Sequence, residues 1–214
     1  MAYISSYMKE KKSDKDKNAI IMSGGDMFQG GYESNSTRGK IMVDAMNIAG
    51  FDVMTLGNHE LDWGEDVLKE TLKIANFPVI SANTFRKDRI SRPEWLSPYT
   101  IIEREDITIG VIGFARENLG SSILGSIAKE FYFPNPIEYI KRYSLELRLS
   151  YNCDLVVAVG HDEGFDSSYQ SSPVEFKEIT EENKLRKEQL ELLKEENELL
   201  RQRIIRLREE KIHY

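Results

Sequence analysis

The sequence predicts an α/β fold, a layered and mostly parallel sheet covered by helices, followed by one long C-terminal coiled-coil helix. Short apolar runs alternate with segments of helical periodicity over residues 19 to 160, and that alternation implies strands covered on both faces. Gly-rich or Gly-Asn loops follow the first two runs. Polar residues there sit at the carboxyl ends of strands, where open α/β sheets bind ligands. The tail rests on a third observation: residues 176 to 213 contain no Gly or Pro and are rich in Glu, Lys, Arg and Leu.

Taken in order, residues 2 to 12 read as a short helix with Ile4, Tyr7 and Met8 on one face. Ala19 to Met22 reads as a buried strand. A helix is expected from Arg38 to Ala49, with Ile41, Ala45, Ile48 and Ala49 at helical spacing. Val53 to Leu56 is the next strand, then a Gly-Asn-His loop and a helix from Glu65 to Ala75. Pro78 to Ser81 is a third strand. Tyr99 to Ile102 and Ile107 to Ile112 form a hairpin around Glu103-Arg104-Glu105-Asp106. After an irregular segment come a helix from Ile137 to Ser150 and a strand from Leu155 to Val159.

Composition changes near Ser167. Ser167-Ser168-Tyr169-Gln170-Ser171-Ser172-Pro173 is a polar hinge. The expected organisation is a globular body at 1–166, a hinge at 167–175 and a coiled coil at 176–214. With heptad position a at Phe176, Asn183, Leu190, Asn197, Ile204 and Lys211, position d falls on Ile179, Arg186, Leu193, Leu200, Leu207 and Tyr214. Asn197 at a, among Leu at d, is the pattern that sets a parallel two-stranded register. A second row of Leu185, Leu192 and Leu199 suits a higher oligomer or packing on the globular body. The expectation is a homo-oligomer, since a lone solvated helix exposes too many Leu side chains.

Net charge is −7 over 214 residues, which argues against a nucleic-acid partner. The cluster Lys9, Lys11, Lys12, Lys15 and Lys17 alternates with Glu10, Asp14 and Asp16 and reads as a solvated loop. Cys153, the single cysteine, reads as a packed thiol. No apolar run approaches the ~20 residues that cross a membrane, so no membrane partner is expected. The amino terminus carries no charged leader and no apolar signal core, and the chain as written is expected in the cytoplasm.

Two blocks carry chemistry: Ser23-Gly24-Gly25-Asp26-Met27-Phe28-Gln29-Gly30 and Gly57-Asn58-His59-Glu60-Leu61-Asp62. A carboxylate, a carboxamide oxygen and an imidazole on neighbouring loops suit a divalent metal beside a proton donor. Blander roles compete, because an Asp in a Gly-rich loop forms turns and an Asn before a helix caps it. The two blocks resemble the signatures of calcineurin-like metallophosphoesterases, in the wording of the 5'-nucleotidase branch. The likeness spans about residues 2 to 166.

That resemblance implies a layered αββα sandwich, two sheets flanked by helices, here incomplete. It implies Asp26, Asn58 and His161 as ligands of a divalent metal (Mn, Zn, Mg or Ca), with Asp26 the bridging carboxylate. His59 becomes the general acid and Asp62 its orienting partner. The implied substrate is a nucleotide or phosphate ester. The family's D-x-H and G-H-x-H metal motifs do not occur among these residues, and the expected domain is truncated at both ends. Three readings stay open: a metal-dependent phosphoric-ester hydrolase with impaired activity, a non-catalytic remnant acting as a coiled-coil-assembled binding protein, or a disrupted reading frame with an unrelated helical tail. Full-length relatives of this kind are often exported.

Overall fold

The computed structural model describes residues 2–13, 19–105, 107–119 and 129–161. The hinge and the heptad segment of the tail lie outside the described residues, as do Asp162 and Glu163.

The chain order is α1 (Ala2–Ser13), β1 (Met22–Ser23), α2 (Tyr32–Thr37), α3 (Lys40–Ala49), β2 (Val53–Thr55), a 3₁₀ turn (His59–Leu61), α4 (Glu65–Leu72), β3 (Val79–Ile80) and β4 (Phe85–Arg86). There follow β5 (Tyr99–Arg104), β6 (Ile107–Ala115), β7 (Phe131–Tyr132), α5 (Pro136–Ser150) and β8 (Leu155–His161). One sheet runs β1-β2-β3, all parallel, with Met22 opposite Val53 and Met54 opposite Val79. A second runs β5-β6-β8, where β5 and β6 are the antiparallel hairpin and β8 lies parallel to β6. β4 and β7 form a small antiparallel pair of their own.

Side-chain alternation stacks these sheets. Ile109 and Val111 of β6 face Val53 of β2 and Ile80 of β3, with Met22, Val157 and Val159 packed at the margin. Ile112 points the other way, with Val156, onto Tyr143 and Leu147 of α5. On the outer face of the first sheet, Met54 and Leu56 meet Val43 and Met46 of α3 and Leu68 of α4. A period-2 strand presents successive residues to opposite faces, so each sheet has a core on both sides. Helices, two sheets and a further helix make four packed layers.

Local chemistry sets the ends of these elements. Asn135 caps α5 through its side-chain oxygen, which accepts from the Ile137 N–H (3.0 Å), and Pro136 occupies the first turn, where a missing N–H costs nothing. Gly50 ends α3 at φ 80°, a left-handed conformation that glycine adopts without a Cβ penalty. Cys153 is packed against this helix layer, and burial pushes its thiol pKa up.

The structure departs from the sequence reading at several points. The first strand begins at Met22 rather than Ala19. The Ile21 N–H instead goes to the Asp52 carboxylate (2.8 Å), so a side chain takes the place of a ladder partner. The helix expected from Arg38 starts at Lys40, after Arg38 and Gly39 both turn left-handed (φ 51° and 84°). Expected to run to Ala75, α4 stops at Leu72. Lys12 is no loop residue: it lies in the last turn of α1 and reaches Asp52 (2.8 Å), which also binds Arg104 (2.6 Å). Among the described residues, no helix is long and apolar enough to cross a membrane.

Candidate metal and phosphate-ester cleft

Three strand ends meet at one point. Asp26 follows β1, Asn58 and His59 follow β2, and His161 is the last residue of β8. His161 Nε2 stands 3.1 Å from Asn58 Oδ1 and 3.6 Å from Asp26 Oδ2. His59 Nε2 lies 3.9 Å from the same Asp26 oxygen. The four residues named from sequence therefore line one cleft.

Close backbone approach makes this possible. A Cβ on Gly57 would lie 2.5 Å from the Asp26 nitrogen, and one on Gly25 would lie 2.7 Å from the Gly57 nitrogen. Both are shorter than side-chain carbons tolerate, so only glycine lets these loops touch. Asp26 itself is left-handed (φ 63°), uncommon for a residue with a side chain. Its Oδ1 accepts the His59 backbone N–H (2.9 Å), which holds the carboxylate against the second loop. One oxygen of Asp26 is thus held by the second loop, and the other stands beside the imidazoles of His59 and His161.

Asn58 occupies the N-cap position of the 3₁₀ turn but makes no side-chain cap hydrogen bond. Its oxygen faces His161 instead. Within the turn, the i,i+3 spacing sets His59 Nδ1 2.6 Å from Asp62 Oδ2. Burial lowers the His59 pKa, but the Asp62 hydrogen bond and the charges of Asp26, Asp62 and Glu60 outweigh it and hold the imidazole above its ordinary value. When protonated, the ring carries one N–H on Asp62 and a second, at Nε2, on the Asp26 side of the cleft.

His161 is fixed from its own main chain. The Arg116 N–H donates to the His161 carbonyl (3.0 Å). Immediately before it, Ala115 exchanges two bonds with the buried Asn83 side chain (2.8 and 2.9 Å). Asn83 also donates to the Pro134 carbonyl (2.8 Å), so its polar atoms are satisfied inside the protein.

Sequence reasoning passed over Asn83 and also Glu60, whose carboxylate lies under the two loops. Burial pushes the Glu60 carboxyl up, against the pull of the backbone amides of Asp26, Met27 and Gly57. Only its position inside the Gly57-to-Asp62 block marked it. Periodicity says nothing about a buried carboxylate in a loop.

The donor set suits a divalent cation. Two donors held at ~2.0–2.2 Å from one cation stand about 2.8–3.6 Å apart at angles between a right angle and the tetrahedral value. The Asn58–His161 and Asp26–His161 separations both fall in that range. Among the described residues, no three His, Cys, Asp or Glu side chains gather as a metal-holding group. The trio here is one carboxylate, one imidazole and one carboxamide.

Fold and cleft together define a layered α/β protein with its site where strands of two sheets end. No family model matches the chain. Protein UshA of Salmonella pullorum is similar at 31% identity over 153 residues, 72% of this chain and 28% of that protein. A 5'-nucleotidase of Vibrio cholerae is similar at 33% over 142 residues, 66% of this chain and 25% of that one. Among solved structures, the 5'-nucleotidase precursor of Thermus thermophilus superposes with a TM-score of 0.63 at 26% identity, covering 73% of this chain and 30% of that one. The chain spans less than a third of the length of each. Over the matched residues the chain is similar to 5'-nucleotidases.

Proposed function

We propose that the cleft is a metal-dependent phosphoric-ester hydrolase site of the 5'-nucleotidase type. The observation that supports it is the meeting of Asp26 Oδ2, Asn58 Oδ1 and His161 Nε2 beside the His59–Asp62 pair. Those three atoms are the ligands we assign to one divalent cation, Mn²⁺, Zn²⁺, Mg²⁺ or Ca²⁺. A bound cation supplies Lewis-acid polarisation of a phosphoryl oxygen. As water bonds to phosphorus and the P–O ester bond breaks, His59 gives its Nε2 proton to the leaving oxygen, a contribution of ~10²–10⁴-fold, and the proton lost by the water passes to solvent. Asp62 orients the ring and stabilises its charged form. Relatives named as 5'-nucleotidases make a nucleoside monophosphate the first substrate to try.

Turnover by these 214 residues is proposed to be weak or absent, because they hold three His in all and one of those is His213 of the tail. Two-cation phosphoesterases clamp the displacement from both sides, which calls for a larger donor set than Asp26, Asn58 and His161. The alternative, a non-catalytic binding protein assembled through residues 176 to 214, is favoured by the Asn197-in-Leu heptad pattern.

Hydrolysis of AMP and of a chromogenic phosphomonoester, assayed with excess Mn²⁺ and with His59→Ala as control, separates the two. Low turnover that His59→Ala removes supports the hydrolase reading. Turnover unaffected by His59→Ala refutes it. Sedimentation at micromolar concentration tests assembly, for which a monomer is the refuting result.

A further inference from the structure

A carboxylate that the proposed chemistry does not use lies beneath the cleft. Glu60 is 1% exposed. Its Oε2 accepts the N–H groups of Asp26 (2.8 Å) and Gly57 (2.8 Å), and its Oε1 those of Met27 (2.7 Å) and Phe28 (3.2 Å). An ionised carboxylate offers about four acceptor sites, and the main chain of two loops fills them.

We propose that Glu60 is a positioning residue of the cleft: its carboxylate ties the Asp26 loop to the Gly57 loop and so sets Asp26 against His59 and His161. This rests on the cleft reading given above. The geometry is specific. Asp26 holds a left-handed backbone, a conformation that persists only where the surroundings over-determine it. The determinants lie on both sides of the residue. Its N–H is held by Glu60 Oε2 and its carboxylate by the His59 N–H. Gly57 directly precedes Asn58, so one oxygen of Glu60 grips the backbone next to two of the three assigned ligands. The other oxygen grips Met27 and Phe28, and Phe28 is anchored in the core. Glutamine cannot substitute, because its NH₂ end would face two N–H donors whichever way the amide is turned.

The test uses the full chain, its Glu60→Gln variant, Mn²⁺ as the probe and backbone amide exchange as a readout that needs no metal. With both folded, Glu60→Gln is expected to weaken Mn²⁺ binding by about 10–100-fold, the range for losing a partner that orients ligands. The metal-free imidazole ¹⁵N resonances of His59 and His161 are expected to move. Exchange protection should drop at Asp26, Met27 and Gly57 while α5 keeps its own. Mn²⁺ affinity equal to wild type, or unchanged protection at those amides, overturns the proposal. If neither protein binds Mn²⁺ while protection is lost at both loops and the imidazole resonances move, the cation reading fails and the positioning role stands. Should the variant not fold, wild-type exchange decides: Asp26 and Gly57 amides exchanging at unprotected rates overturn the proposal, and amides protected like the strands that precede them support it.

Discussion

Replacing Glu65 by Gln isolates one charge-assisted cluster with a pH signature of its own. Glu65 opens α4, and its carboxylate takes both terminal nitrogens of Arg86, one at 2.7 Å, together with Trp95 Nε1 at 2.6 Å. The Arg86 side chain is 34% exposed and that of Glu65 15%. Hydrogen bonds to charged groups contribute about 1.5–3 kcal/mol net, whereas exposed ion pairs contribute about 0.2–1 kcal/mol. Glutamine keeps one acceptor oxygen and turns an NH₂ toward the remaining guanidinium donor, so part of the cluster survives. The expected loss at pH 7 is about 1–2 kcal/mol, or roughly 2–8 °C in Tm for a protein of this size.

The pH dependence follows from the direction of the Glu65 shift. The Arg86 guanidinium, first by its hydrogen bonds and then by its charge, holds the Glu65 carboxyl below the ordinary glutamate value, against the opposing effect of burial. A depressed folded-state pKa adds stability above the unfolded-state pKa and loses it as pH falls through the folded value. Protonated Glu and Gln present the same pattern, one acceptor and one donor end. The gap between wild type and Glu65→Gln should therefore be fully open at pH 6–7 and narrow steadily below about pH 4.5, the ordinary glutamate value. Urea denaturation of both proteins at stepped pH measures it. A gap of equal size at pH 3.5 and pH 7, or none at pH 7, refutes the reasoning.

Two further outcomes follow from the packing and the cleft. Leu147→Ala should cost about 2.7–5 kcal/mol, the range for a buried Leu that leaves a cavity. Leu147 is fully buried and fills the space above Gly110, where a Cβ would lie 2.8 Å from its methyl group; a chemical-denaturation loss under 1 kcal/mol would refute that packing. Asp62→Asn should lower the His59 pKa, because it removes one of the charges that raise it and leaves a neutral carboxamide oxygen in place of the charged acceptor. An NMR titration of the metal-free protein reads this directly, and an unchanged or higher value would be the contrary result.

Periodicity alone located β2, the β5–β6 hairpin, α5 and β8, because their burial patterns are local. An apolar run bounded by turn residues must find a sheet. Alternation along β6 separates Ile109 and Val111 from Ile112 whatever the remainder of the fold does. The two motif blocks likewise named Asp26, Asn58, His59 and Asp62 before any geometry was known, since their position after strands is written in the chain. α2 was not legible, for its sequence Tyr-Glu-Ser-Asn-Ser-Thr carries no apolar stripe; it is pinned by Ser34 to the Phe28 carbonyl. Nor was the β4–β7 pair, in which Phe85 meets Tyr132 across a long stretch of chain.

What the sequence determined by itself was therefore the order of the periodic elements and the candidate side chains of the site, both of which depend on near neighbours. Tertiary structure alone decided where those side chains stand. His161 reaches Asn58 because two separate sheets stack and end at the same level. Asp26 holds a left-handed backbone, with its N–H bound to a carboxylate 34 residues further along the chain. Lys12 becomes the partner of Asp52 instead of a solvated charge because α1 lies beside the chain that enters β2. Partners so far apart in the chain leave no trace in local periodicity, because a hydrogen bond depends on distance in space, which only the packed layers set.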